Sequence, residues 1–257
     1  MTMSITLHAD AHARYVLRLA DTCLIWSHRL AEWCGHAPVL EEDIALANQA
    51  LDLLGQARAL LSHAAALEGR GRDEDALAYL RDERDFVNVT LAELPRGDFA
   101  FTVVRNLLLS SWTLLMWQHL ADSSDAELAG IAGKAAKEAR YHREHAADWA
   151  VRLGDGTEES TRRMAAALER AWPYTHELFD ADEVDRAAAE SGHGPEWSDL
   201  REAWLADIEA VLADAKLKVP PLSAFRSEAK RGRHSEHLGL LLAEMQVLQR
   251  SFPGGVW

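Results

Sequence analysis

Apolar residues recur at steps of three and four along most of the chain, the spacing of helices that each turn a stripe to a core. Between Ala11 and Cys34, one stripe is formed by Tyr15, Leu19, Cys23, Trp26, Leu30 and Trp33. Leu17, Leu24 and Ile25 form a second, which predicts a helix covered on two sides, with Asp21, His28 and Glu32 sharing the second side. Gly35-His36-Ala37-Pro38 breaks it. The next helix, from about Glu42 to Ala66, is apolar nearly all round. Leu40, Ile44, Leu51 and Leu54 lie on one side, Leu46, Leu53 and Leu60 on another, and Asn48 and Asp52 interrupt it one turn apart. Such a helix belongs in the middle of a bundle.

A short helix follows from about Asp73 towards Arg84, then an irregular connection. Phe99 to Leu120 is the most apolar helix of all, yet its longest apolar run, Leu107 to Trp117, is too short to span a bilayer. The stretch from Ser124 to Gly154 has the clearest punctuation. Ser124 and Glu127 have the spacing of a capping box, and Gly154-Asp155-Gly156 gives the stop. Ile131, Ala135, Ala139, His142, Ala146, Trp149 and Leu153 mark its core stripe, and Glu138 sits on that stripe one turn before His142. Because only a short loop separates it from the preceding helix, the two are expected to be antiparallel neighbours.

Beyond Gly156, the pattern predicts a helix from Glu158 to Leu178 interrupted at Pro173, an acidic and glycine-rich turn, a helix from Ser198 to Leu217, and a last one from Ser235 to Arg250. The fold class is therefore all-α: a ferritin-like four-helix bundle over about residues 11–154 with additional C-terminal helices over 157–257, in a single domain. Residues 1–10 are expected to be disordered.

Composition narrows the function. The 257 residues carry a net charge of −14, against the basic face that nucleic acid requires. Cys23 and Cys34 stand eleven apart on one predicted helix, roughly 16 Å, too far for a disulfide, and read as buried thiols. The N-terminus lacks a signal-peptide pattern, so a cytoplasmic protein without membrane contact is expected.

Carboxylates and histidines on apolar helices suggest a di-iron bundle, which needs one carboxylate from each of two helices and Glu-x-x-His from each of the other two. The residues do not supply that set. The chain's Glu-x-x-His, Glu190 to His193, falls in a glycine-containing loop; Asp52 is followed at the third position by Gly55 and Glu138 by Tyr141. Phe99 to Ala121 contains no Asp or Glu. No metal is therefore expected here. The expectation is instead a buried polar cluster of Asp52, Glu138 and His142, with Asp21, His28 and Glu32 as further candidates; a single-metal site is the alternative. His145 should point away from it into solvent. Against the acidic chain, Lys230, Arg231 and Arg233 form a basic loop that could meet an acidic partner or a phosphate.

The runs CLIWSHRLAEWCGHAP, ALANQALDLLGQAR, KEARYH, ELFDADEVD and HLGLLLAEMQVLQR, in this order, resemble the PaaC family, subunits of bacterial phenylacetyl-CoA epoxidase. The resemblance runs from about Tyr15 to Trp257. It implies a structural, non-catalytic bundle that pairs with the catalytic subunit PaaA. PaaA carries the di-iron centre and binds phenylacetyl-CoA, whose aromatic ring the complex epoxidises. A separate reductase using NADPH, flavin and an iron–sulfur centre supplies the electrons. The alternative is an active di-iron or single-metal oxidoreductase using Glu138, His142 and Asp52. Apolar faces that include Trp26, Trp33, Trp112 and Trp117 exceed what one bundle covers, which predicts a hetero-oligomer, or a homodimer in isolation.

Overall fold

The computed structural model describes residues 4–255, in which ten α-helices and short 3-10 turns carry the chain, with an isolated bridge between Glu228 and Arg233. Two long hairpins make the centre. Helix α1 (Ala11–Ala31) packs along α2 (Leu40–Glu68); two short helices, α3 (Glu74–Tyr79) and α4 (Thr90–Glu93), lead to α5 (Phe99–Leu120), which packs along α6 (Ala126–Gly154). The remaining helices are α7 (Glu158–Ala171), α8 (Glu183–Glu190), α9 (Arg201–Asp214) and α10 (Glu236–Ser251). They cover the outside: α7 and α9 on the α5–α6 hairpin, α8 on α1, and α10 against α3.

Side-chain oxygens set the helix starts. Asp10 accepts the Ala13 amide, and Asp98 the Phe101 amide, each satisfying an orphan donor of a first turn. The cap of α6 is Asp125, which accepts from the Glu127 and Leu128 amides; Ser124, expected in that place, instead donates to the Ser191 carbonyl at 3.0 Å. Gly69 ends α2 in the left-handed region at φ 66°, where a side chain would strain. At Pro173 the α-helix gives way to a 3-10 segment, Trp172–Leu178, because proline cannot donate to the α ladder.

Helix α5 has the length and composition of a membrane span, contrary to the short-run expectation, but 83% of its most apolar window is buried within the protein, as in a soluble core helix. Trp26, Trp33, Trp112 and Trp117 are also buried in the chain itself, so they mark no uncovered face. The exposed large apolar side chains lie elsewhere: Leu40, Ile44, Leu51 and Leu54 along α2, with Tyr141 on α6. Residues 4–10, expected to be disordered, are tied down by the Ile5 amide on the Leu80 carbonyl at 3.0 Å and the His8 amide on Glu68 at 3.0 Å; residues 1–3 lie outside the described chain. Cys23 is buried, whereas Cys34, just past α1, is exposed.

Candidate functional site

Polar side chains meet where the two hairpins face each other. From α1, the Trp26 indole N–H donates to Asn106 Oδ1 of α5 at 3.0 Å; Asn106 Nδ2 reaches Gln49 Oε1 of α2 at 3.4 Å, and Gln49 Nε2 lies 3.0 Å from His145 Nδ1 of α6. His145 Nε2 approaches Glu42 Oε2 at 3.0 Å. One turn along, His142 Nε2 lies 3.0 Å from Asp52 Oδ2, with the Trp26 ring edge-on to the imidazole. Gln56 Nε2 donates to Glu138 Oε2 at 2.9 Å, and Lys134 approaches the other oxygen at 3.5 Å. The Trp26–Asn106–Gln49–His145 chain thus joins all four long helices through an otherwise apolar centre, with the Asp52–His142 and Gln56–Glu138 contacts beside it.

The structure therefore brings Asp52 and His142 together but gives Glu138 a different partner. Glu138 and His142 share a stripe without sharing a hydrogen bond, so the expected mutual pair is replaced by a Gln56–Glu138 contact. Burial pushes the His142 imidazole below its ordinary value, and the Asp52 carboxylate opposes this only in part. His145, expected in solvent, is turned inward and is 16% exposed, because Gln49 and Glu42 on α2 both face it.

Asp21, His28 and Glu32 stay outside the cluster. Asp21 is buried against Arg81 and accepts the Val87 amide at 2.9 Å, fastening the segment between α3 and α4 onto α1. His28 is half-buried, its pKa lowered by burial against the opposing pull of Glu32, and the exposed Glu32 pairs with Arg29. Sequence reasoning missed Trp26, Gln49, Gln56 and Asn106 as members, because amides and an indole are not what a search for carboxylates finds. A signal was present: Gln49 and Gln56 bracket Asp52 at three and four residues, and Asn106 interrupts the apolar first half of its helix.

The donor set does not fit a di-iron centre. Where Glu-x-x-His would face Glu-x-x-His, α2 presents Gln49-x-x-Asp52 and α6 presents His142-x-x-His145. Where α1 and α5 would each give a carboxylate, they give an indole N–H and a neutral amide, groups that donate or accept hydrogen bonds but do not balance ferric charge. The formal charge inside α5 is a cation, Arg105, fully buried and pushed down to about 9 by that burial and by Arg29.

The basic loop is not a free surface either. Lys230 is fully buried, its ammonium 3.1 Å from Asp185 and over the Trp197 ring, and its amide donates to Glu177 at 2.9 Å. Arg18 of α1 binds Asp182 at 2.6 Å and Asp185 at 2.8 Å, closing a buried ionic network between α1, α8 and the loop. Arg231 pairs with Asp180 and Asp182, and the exposed Arg233 with Glu228. Glu177, Asp180, Asp182 and Asp185 lie 45 residues or more upstream of Lys230 and Arg231, which hid them from a local reading.

Residues 2–257 match the family described as "Phenylacetic acid catabolic protein". The chain is 51% identical over 243 residues to a protein of Escherichia coli (strain K12) whose name makes it one of the subunits of 1,2-phenylacetyl-CoA epoxidase, covering 95% of this chain and 98% of that one.

Proposed function

The chain belongs to the phenylacetic acid catabolic protein family, and from that premise we propose that it is a structural, non-catalytic subunit of a phenylacetyl-CoA epoxidase. The observation that carries this reading is the Trp26–Asn106–Gln49–His145 chain of hydrogen bonds, which fills with indole, amide and imidazole groups the place where an oxygenase of this architecture would hold carboxylate-bound iron. In this reading the di-iron centre, the thioester substrate and the ring epoxidation belong to a homologous catalytic subunit, PaaA, and electrons come from a separate reductase in the same cytoplasmic system. This chain holds its partner in the active shape.

The exposed side of α2 supports a partner. Leu40, Ile44, Leu51 and Leu54 are 72%, 54%, 65% and 44% exposed and recur on one stripe, and Tyr141 of α6 is also exposed, at 51%. Leaving such a stripe in water is unfavourable, at roughly 25 cal/mol for each Å² of apolar surface, and a second bundle laid along it would cover it. Co-expression with the catalytic subunit and size-exclusion chromatography tests this. A stable hetero-oligomer is expected at micromolar concentration; two separate monomeric peaks would contradict it.

A further inference from the structure

At the end of the hairpins, away from the cluster that faces α5, three potential ligands converge. His12 lies in the first turn of α1, His63 in the last turns of α2, and Asp125 caps α6. His63 Nε2 is 2.6 Å and His12 Nε2 is 2.9 Å from the same carboxylate oxygen, Asp125 Oδ2, and the three ligand atoms all fall within 4.8 Å of one another. It is the one such group of three among the described residues. The side chains are 18%, 11% and 9% exposed, for His12, His63 and Asp125 in turn. The His12 nitrogen is buried and makes no hydrogen bond of proper geometry, although it points at the carboxylate. A buried ring nitrogen this close to two other donors and without a hydrogen bond of its own is short of an electrophile.

The surroundings are built. Asp125 Oδ1 is held by the Glu127 and Leu128 amides, which orients Oδ2. His193, from the loop that carried the chain's Glu-x-x-His, stacks on His12 with ring centroids 3.7 Å apart. That loop is fastened to the start of α6 by Ser123 Oγ on the His193 carbonyl at 2.7 Å and by the Ser124 amide on the Gly192 carbonyl at 2.9 Å. A Cβ at Gly194 would run into Tyr15 and Leu120, so glycine is required for the loop to lie this close.

We infer that His12, His63 and Asp125 form a binding site for a single divalent first-row transition ion of the zinc type, with two imidazole nitrogens and one carboxylate oxygen as protein ligands and a fourth position open to water. Nitrogen and oxygen donors of this kind take zinc at about 2.0–2.2 Å, so small side-chain rotations that open the two short contacts around a central ion complete the geometry. Bound there, the ion would staple the start of α1, the end of α2 and the start of α6. This inference stands apart from the epoxidase reading, because it concerns neither iron nor the residues facing α5.

The test uses untagged full-length protein stripped of metal, titrated with zinc alone in competition with a chromophoric chelator. One ion per chain is expected, with binding weakened at least tenfold in His63→Ala and in Asp125→Asn, whose asparagine still caps the helix. Zinc should raise the thermal midpoint of the wild type and not of the variants, and circular dichroism without metal shows that each variant folds. His36→Ala, at an exposed histidine elsewhere, should bind as the wild type does. Equal affinity in the wild type, His63→Ala and Asp125→Asn, or no saturable binding, would overturn the site.

Discussion

His142 is 1% exposed, but its partner Asp52 keeps 37% of its side chain in water, and that asymmetry sets the cost of disrupting the pair. Breaking a fully buried ion pair costs about 3–5 kcal/mol, whereas losing a hydrogen bond to a carboxylate that water can then reach costs about 1.5–3 kcal/mol. His142→Ala should therefore fall in the lower range by urea denaturation, and replacing Asp52 and His142 together with leucine should cost less than the single truncation. The imidazole is held below its ordinary 6.5 by burial, so it is neutral in the folded state. The unfolded chain takes up its proton first as pH falls. The stability linked to this group is complete above about 6.5 and is lost as pH drops from there through the folded value. His142→Gln should flatten part of that slope, leaving the share of the similarly depressed His12 and His28. A slope that is unchanged would show that His142 is not neutral inside. Lys230 and Arg233 make a second contrast. Lys230→Ala strands Asp185, which Arg18 still binds, and should cost about 3 kcal/mol; Arg233→Ala, at a side chain 78% exposed, should stay within about 0.5 kcal/mol.

At the scale of the element, α2 carries the longest outward apolar stripe. Its two apolar stripes were legible in the sequence, but periodicity gives angles around an axis and not which angle a neighbour covers. The Leu46, Leu53 and Leu60 stripe faces α1 and the core, and the Leu40, Ile44, Leu51 and Leu54 stripe faces out. The tryptophans misled for the same reason: a large apolar side chain predicts burial, and here the rest of the chain supplies it, with Phe99 packed against Trp33 and Trp197 against Trp112. Helix spans were readable from the pattern, including the change at Pro173, while the α6 cap went to Asp125 because Ser124 is recruited by the Ser191 loop far downstream. The Asp52–His142 contact was legible, since both interrupt apolar stripes; the amides around it were not, having no charge to advertise them. If the outward stripe of α2 is the docking face, Leu51→Asp should abolish co-elution with the catalytic subunit while leaving the isolated chain's helical signal and melting midpoint nearly unchanged, because that side chain is 65% exposed. Undiminished co-elution would move the interface elsewhere.

For the whole molecule, the two central hairpins have the ferritin-like arrangement, and the residues facing each other between them include a hydrogen-bonded chain of indole, amide and imidazole groups, Trp26, Asn106, Gln49 and His145. A buried network of Arg18, Asp182, Asp185 and Lys230 fixes α8 and the loop at Lys230 onto α1. The most direct test is to purify this chain and its catalytic partner separately after growth with iron, determine iron by elemental analysis, and assay epoxide formation from phenylacetyl-CoA with reductase and oxygen for each alone and for the mixture. The expected result is negligible iron and no product for this chain, about two irons in the partner, and turnover that rises sharply on mixing. About two irons in this chain, with epoxide formed in the partner's absence, would contradict the account.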